Sequence, residues 1–262
     1  MKKFGSVKAV VAFSAMAFLA ATLASCTSPP GFTCPSGFTW NRHEDWKPGA
    51  ADGNSVGNPC TDSAGRPVWS HEYILNVPPG SDLDSDHPWY LLPSSGLMVW
   101  DGHWGGGCWA KLYDYPPYIH RLTLGHIPDD QSYHGDHYAN VPLLRWRNPS
   151  STPMTVSLTC GENFRGCLSA FMPTGSISDI IIARTDASDG GAVHLLRGYI
   201  CVKTLGADAG QRFVLPALSI EQLVLDPGDD IIFSIRSRTR LVGVHAWPCV
   251  TLYDDVTITV LP

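Results

Sequence analysis

Short apolar segments separated by turn residues fill the sequence from about residue 67 onward, and they constrain the fold more than any other feature. The segments are rich in β-branched residues and are bounded by Gly, Pro, Asn or Asp, as β-strands are. No window of twelve residues keeps the i, i+3, i+4, i+7 apolar spacing of an amphipathic helix. The sequence therefore predicts an all-β fold, and such strands predict a β-sandwich or jelly roll. The predicted strands cover residues 68–77, 97–100, 119–124, 142–147, 154–159, 179–184, 194–202, 212–215, 222–225, 230–236, 241–246 and 256–261.

In two of these segments, 230–236 and 256–261, every second position is apolar. This period of two is typical of a strand with one buried face. We expect the apolar positions of both strands, and Trp146 in LLRWRN, to lie in the core. The apolar positions are Ile231, Phe233, Ile235, Val256, Ile258 and Val260.

The first residues have the pattern of an export signal rather than of a folded element. Three lysines precede an apolar stretch over residues 10–21, which is too short to span a bilayer as a stable helix. The stretch leads into the sequence LASC, ending at Cys26, which resembles the lipobox of bacterial lipoproteins. That resemblance implies cleavage before Cys26, attachment of palmitate-type acyl chains, and anchoring in the cell envelope. Because Thr27 rather than Asp follows the cysteine, the resemblance implies sorting to the outer membrane. The alternative to lipid attachment is ordinary secretion with cleavage near Ala24.

The chain is predicted to have three parts: a signal peptide over residues 1–25, an extension over 26–66, and a β-sandwich over 67–262. The extension is rich in Pro, Gly, Ser, Asn and Asp, which indicates a tether followed by loops. Loss of the three signal-peptide lysines would shift the formal net charge from −6 to −9. An acidic chain without a basic patch is a poor match for nucleic acid, so no nucleic-acid partner is expected.

Residues 120–262 resemble the jelly-roll domains of secreted carbohydrate-binding modules. The sequences LLRWRNPSSTPMTVSLT, SDIIIART, LVLDPGDDIIFSI and YDDVTITVLP follow one another as in such domains. Pro227-Gly228 is expected to form a turn, and Asp229 can bond back to its backbone. The resemblance also implies that carboxylates beside the last strand, here Asp254 and Asp255, bind a structural calcium ion.

Seven cysteines follow Cys26, and an exported chain is expected to oxidise most of them. Cys34–Cys60 is a candidate disulfide that would join the extension to the body. Cys160–Cys167 would close a short loop, and Cys201–Cys249 would join two strands. The connectivity cannot be deduced from the sequence, and the odd number leaves at least one thiol over.

Aromatic residues concentrate in WDGHWGGGCWAKLYDYPPY, residues 100–118. Indole and phenol rings stack on the apolar faces of sugars, while nearby polar side chains bond the hydroxyls. The candidate ligand-binding residues are Trp104, Trp109, Tyr113, Asp101 and His103. The glycines argue against a regular strand here, so we predict a Gly-rich aromatic loop. Covering of the core by the same aromatics is the alternative.

The same stretch contains Gly107-Cys108-Trp109-Ala110, which resembles the nucleophile segment of papain-like cysteine proteases. That family needs a Gln six residues earlier, where this chain has Gly102, and an Asn to orient the histidine, which does not follow His245. Pro116-Pro117 would end the helix that should begin at the cysteine. No other nucleophile motif is present, so no catalytic residue is assigned.

A loop metal site is the remaining candidate for a cofactor. His134 and His137 lie among carboxylates in GHIPDDQSYHGDHY, and such residues can bind zinc or another divalent ion. The alternative is a polar loop with exposed histidines.

The sequence thus favours a lipid-anchored extracytoplasmic binding protein without evident catalytic machinery. Its expected partners are the membrane, through the lipid, and a glycan or other surface polymer. Two alternatives stay open: a cell-envelope hydrolase with unidentified carboxylates, and a structural lipoprotein that binds an envelope protein.

Overall fold

The structure is a computed structural model that describes residues 32–42, 44–45, 57–74, 96–97, 99–101, 108–110, 118–119, 123–125, 141–161, 165–168, 174–175, 177–204, 211–237, 248–251 and 256–262. All regular elements in these ranges are β-strands, which confirms the predicted all-β class. The strands are β1 Thr39–Asn41, β2 Cys60–Thr61, β3 Pro67–Ile74, β4 Gly96–Leu97, β5 Val99–Asp101, β6 Cys108–Ala110, β7 Tyr118–Ile119, β8 Thr123–Gly125, β9 Val141–Arg147, β10 Met154–Cys160, β11 Arg165–Leu168, β12 Ile177–Asp186, β13 Ala192–Val202, β14 Gln211–Val214, β15 Leu218–Leu225, β16 Asp230–Ser237, β17 Pro248–Thr251 and β18 Val256–Val260.

The strands form three sheets whose neighbours all pair antiparallel. Sheet A has the order β1-β18-β10-β15. Sheet B has the order β13-β12-β16-β9-β3-β2, with β4 paired to β3. Sheet C has the order β14-β11-β17-β8-β7-β6-β5. Sheets A and B make the β-sandwich that the sequence predicts, and β8 and β17 of sheet C lie beside β16 of sheet B.

The main core lies between sheets A and B and follows the alternation of the sequence. Trp146 is fully buried there, and its ring lies 5.0 Å from that of Trp40. All six apolar positions expected on β16 and β18 are buried, which confirms that prediction. Leu143 and Ile232, which alternate with core residues, are buried as well. Sheet B is therefore covered on both faces at β9 and β16.

The Asp229 carboxylate, which the sequence indicates, stabilises the turn between β15 and β16. Gly228 has a φ of +87°, a left-handed conformation that favours glycine. Asp229 is fully buried and accepts a hydrogen bond from the backbone N–H of Asp226 at 2.9 Å. It also accepts one from the N–H of Ala187 at 2.9 Å and pairs with Arg184 at 2.6 Å. This turn thus ties the β12–β13 end of sheet B to the β15–β16 connection.

Part of the predicted loop-rich extension belongs to the sandwich. Strand β1 pairs with the last strand of the chain, and β2 pairs with β3. Both are too short to show a period in the sequence, and the partner of β1 lies more than 200 residues away. Within this segment, Arg66 lies over the rings of Phe32 at 4.2 Å and Phe38 at 4.6 Å.

The predicted strands differ from the observed ones in several places. The predicted strand 119–124 is two strands, β7 and β8, and the predicted strand 222–225 begins earlier, as β15. Strands β1, β2, β6, β11 and β17 were not expected. The predicted strand 241–246 lies outside the described residues. Among the described residues no helix is long and apolar enough to cross a membrane.

Candidate functional site

The aromatic stretch contains paired strands rather than only a loop. Strand β5 pairs antiparallel with β6, and β6 pairs with β7. Strand β5 overlaps the predicted strand 97–100, whereas β6 was not expected. Strands of three residues leave too little sequence for a period of two to appear. Residues 102–107, which hold all four glycines of the stretch, lie outside the described residues, so the Gly-rich loop stays a prediction.

The register of this strand pair sets two tryptophans opposite each other. Trp100 is the Cα partner of Trp109, and Trp109 is in turn the partner of Ile119 on β7. Directly opposed residues share one face of an antiparallel sheet, with Cβ atoms about 4.5–5.5 Å apart. In this register Trp100 and Trp109 are cross-strand partners on two adjacent strands at one end of sheet C, and we call them the tryptophan pair.

Sequence reasoning chose Trp109 as a ligand-binding residue but assigned no such role to Trp100. The signal that could have found it is the symmetry of the two residues around the glycine-rich centre, which is typical of a hairpin. Asp101, the candidate polar partner, is opposite Cys108.

The other candidate ligand, lipid and metal residues lie outside the described residues. They are Cys26, His103, Trp104, Tyr113, His134, His137, Asp254 and Asp255. The lipid, calcium and divalent-ion sites therefore stay predictions. Within the described ranges no group of three or more His, Cys, Asp or Glu residues could hold a metal ion.

The predicted disulfides are not found among the described cysteines. Cys34 and Cys201 are buried thiols, so Cys34–Cys60 and Cys201–Cys249 are not formed in the structure. Cys34 Sγ lies 4.0 Å from Arg66 Nη1, whereas Cys60 Sγ lies 3.8 Å from His71 Nδ1.

Cys160 and Cys167, the third predicted pair, are close in sequence but lie in two different sheets. Cys160 ends β10 in sheet A and is buried in the main core. Cys167 lies on β11 in sheet C. Closeness in sequence therefore does not mean that the two residues are neighbours in one sheet.

A cluster of charged side chains, which we call the ion cluster, lies on the face of sheet B opposite the main core. Arg145 donates to Glu72 through Nε at 3.0 Å and Nη2 at 3.2 Å, and it also pairs with Asp230. Arg147 Nε lies 2.8 Å from Asp230 Oδ1, and Thr185 Oγ1 donates to Asp230 Oδ2 at 3.1 Å. Glu72 and Asp230 are both buried.

The ion cluster keeps its arginines charged. Burial alone would lower the pKa of Arg145, but the charges of Glu72 and Asp230 and their hydrogen bonds outweigh it and raise that pKa. The hydrogen bond to Asp230 likewise raises the pKa of Arg147. Both carboxylates are thus engaged by permanent cations, an arrangement typical of a structural network rather than of the acid–base pair that glycoside hydrolysis needs.

No family model matches the sequence, and no curated protein matches it. Several solved carbohydrate-binding modules share part of the arrangement of strands. One is a family 61 module in complex with β-1,4-galactotriose, with 13% identity over 52% of this chain and 81% of the module and a TM-score of 0.25. A CBM4 structure has 12% identity over 75% and 97%, with a TM-score of 0.26. A family 35 module from Clostridium thermocellum has 13% identity over 52% and 90%, with a TM-score of 0.20. At these values the similarity carries no argument about function, which is therefore argued from the residues.

Proposed function

We propose that this protein is a lipid-anchored, extracytoplasmic glycan-binding protein and that the tryptophan pair is the centre of its binding surface. The observation that carries the proposal is the register of β5 and β6, in which Trp100 and Trp109 are cross-strand partners. Indole rings offer an apolar surface on which the C–H faces of a sugar stack. A membrane anchor through Cys26 would hold this surface at the cell envelope.

The net charge of the chain favours neutral glycans over polyanionic ones as ligands. After removal of the signal peptide the formal net charge is −9, because three lysines leave and no acidic residue does. A chain with this net charge would repel a polyanionic glycan. Neutral glycans are therefore the proposed ligands.

A hydrolase has less support from the described residues. Its two carboxylates would need to face each other across an open cleft with one of them free to donate a proton. Glu72 and Asp230 lie on neighbouring parts of one sheet, but Arg145 bridges them. We therefore propose binding without turnover.

A screen on a glycan array tests the proposal. The probe is the exported Cys26→Ser form, which the proposal predicts to lack the lipid. We expect it to bind one class of neutral glycan, and we expect Trp100→Ala and Trp109→Ala each to weaken that signal. Ile200→Ala, at a position that is 65% exposed on β13, is the control and should leave binding unchanged. Silence of the folded protein across all glycans would refute the proposal.

A further inference from the structure

The cross-strand position of two cysteines in sheet C differs from every pairing that the sequence suggested. Strand β11 pairs antiparallel with β17, and Cys167 is the Cα partner of Cys249 in that ladder. The flanking residues are paired without a shift in register, Gly166 with Val250 and Leu168 with Pro248. The two cysteines are therefore directly opposed rather than diagonal.

Direct opposition satisfies the backbone requirement of a disulfide. Opposed residues of an antiparallel pair have Cα atoms about 4.5–5.5 Å apart and lie on the same face. A disulfide needs Cα atoms about 4.4–6.8 Å apart. From this register we infer that Cys167 and Cys249 form a cross-strand disulfide that joins β11 to β17 in sheet C.

The alternative partners are placed elsewhere. Cys201 is 2% exposed and lies on β13 in sheet B, opposite Ser178. Burial, followed by the charge of Asp179, raises the pKa of the Cys201 thiol to about 11. A buried thiol that stays protonated attacks disulfides slowly, because the thiolate is the nucleophile. Cys160 is buried in the core between sheets A and B.

Formation of the bond is a two-electron oxidation by a disulfide donor. The thiolate of one cysteine attacks a donor disulfide, such as oxidised glutathione or a protein disulfide of an oxidising compartment, and forms a mixed disulfide. The second cysteine then displaces the donor sulfur. Two electrons pass to the donor, which leaves as two thiols and takes up the two protons that the cysteines lose.

The bond would close a loop of about 80 residues and would fasten sheet C internally. It does not depend on what the protein binds. Reduction is therefore expected to lower the melting temperature of the protein without any glycan being present.

Peptide mapping of the purified Cys26→Ser protein tests the inference. The protein is incubated with oxidised glutathione, its thiols are blocked by alkylation, and it is digested with trypsin without reduction. The expected product links the peptide 166–184, which contains Cys167, to 241–262, which contains Cys249. Because the oxidant is supplied, the test does not require export.

Each competing disulfide would give a linked peptide of a different mass. A link between 148–165 and 166–184 would show Cys160–Cys167, and a link between 198–203 and 241–262 would show Cys201–Cys249. Either product as the main species, or full alkylation of Cys167 and Cys249 after oxidation, would overturn the inference. Cys167→Ala and Cys249→Ala should each remove the linked peptide, whereas the control Cys201→Ala should keep it. The wild-type map decides the question even if a variant fails to fold.

Discussion

Asp62 shows how a buried charge links strand β1 of sheet A to the connection between β2 and β3 of sheet B. Its Oδ2 accepts hydrogen bonds from Trp40 Nε1 at 3.0 Å and Arg66 Nε at 2.7 Å. Its Oδ1 accepts from the backbone N–H of Arg66 at 2.9 Å. Burial alone would raise the pKa of Asp62, but the hydrogen bonds from Arg66 and Trp40 and the charge of Arg66 outweigh it and lower that pKa.

We expect Asp62→Asn to lower the free energy of unfolding by about 3 kcal/mol, because it leaves the buried Arg66 without its counter-charge. Denaturant unfolding at neutral pH measures the change. The matched control is Asp189→Asn at an exposed turn position, where a change within about 0.5 kcal/mol is expected. Equal effects of the two substitutions would contradict the role given to Asp62.

The lowered pKa of Asp62 also fixes a pH dependence. A carboxylate whose pKa is lower in the folded state stabilises the fold at pH values above its unfolded pKa. That contribution is lost as the pH falls below about 4 and through the folded pKa. Unfolding measured between neutral pH and pH 3 should therefore show a steeper loss for wild type than for Asp62→Asn. If the stability of wild type and of Asp62→Asn fell in parallel with pH, that result would contradict the pH dependence assigned to Asp62.

In the ion cluster, Arg145 is expected to matter more than Arg147. Arg145→Met leaves both Glu72 and Asp230 without their shared cation and should cost about 3 kcal/mol of unfolding free energy. Arg147 pairs only with Asp230 in this cluster, and its side chain is 40% exposed. Arg147→Met should therefore cost about 1 kcal/mol or less. Thermal unfolding of the two variants makes the comparison, and the reverse order would contradict it.

At the scale of elements, the sequence indicates strands well where alternation is long and buried. Strands β16 and β18 have five or more residues with one apolar face, and both were predicted closely. Strands β1, β5 and β6 have three residues each, too few for a clear period. The partner of β1 lies more than 200 residues away, so no local pattern could reveal it, whereas the opposition of Trp100 to Trp109 is a local hairpin pairing that only the symmetry around the glycines indicates.

The alternation of β18 gives a direct test at this scale. Ile258 is fully buried between sheets A and B, whereas Ile200 on β13 is 65% exposed. We expect Ile258→Ala to lower the free energy of unfolding by about 2–4 kcal/mol, because it removes buried apolar atoms and leaves a cavity. The same substitution at Ile200 should change it by less than about 0.5 kcal/mol. Similar losses at both positions would show that the core is not where the structure has it.

At the scale of the whole molecule, the proposed role depends on an anchor and a binding surface at different places in the sequence. The anchor prediction is independent of the fold, because it uses only the signal segment and Cys26. Cells fed radiolabelled palmitate should label the wild-type protein and not Cys26→Ser. An unlabelled wild type, or a labelled Cys26→Ser, would refute lipid attachment without affecting the glycan proposal.

The central claim is that Trp100 and Trp109 act together in binding a neutral glycan. The most direct measurement is the dissociation constant, by calorimetry, of the glycan selected on the array for wild type, both single alanine variants and the double variant. Each single variant should bind about tenfold or more weakly, because a stacked aromatic contributes about 1.4 kcal/mol or more at the centre of a binding surface. The double variant should show no measurable binding while keeping the wild-type melting temperature within a few degrees. A folded double variant with wild-type affinity would contradict the account.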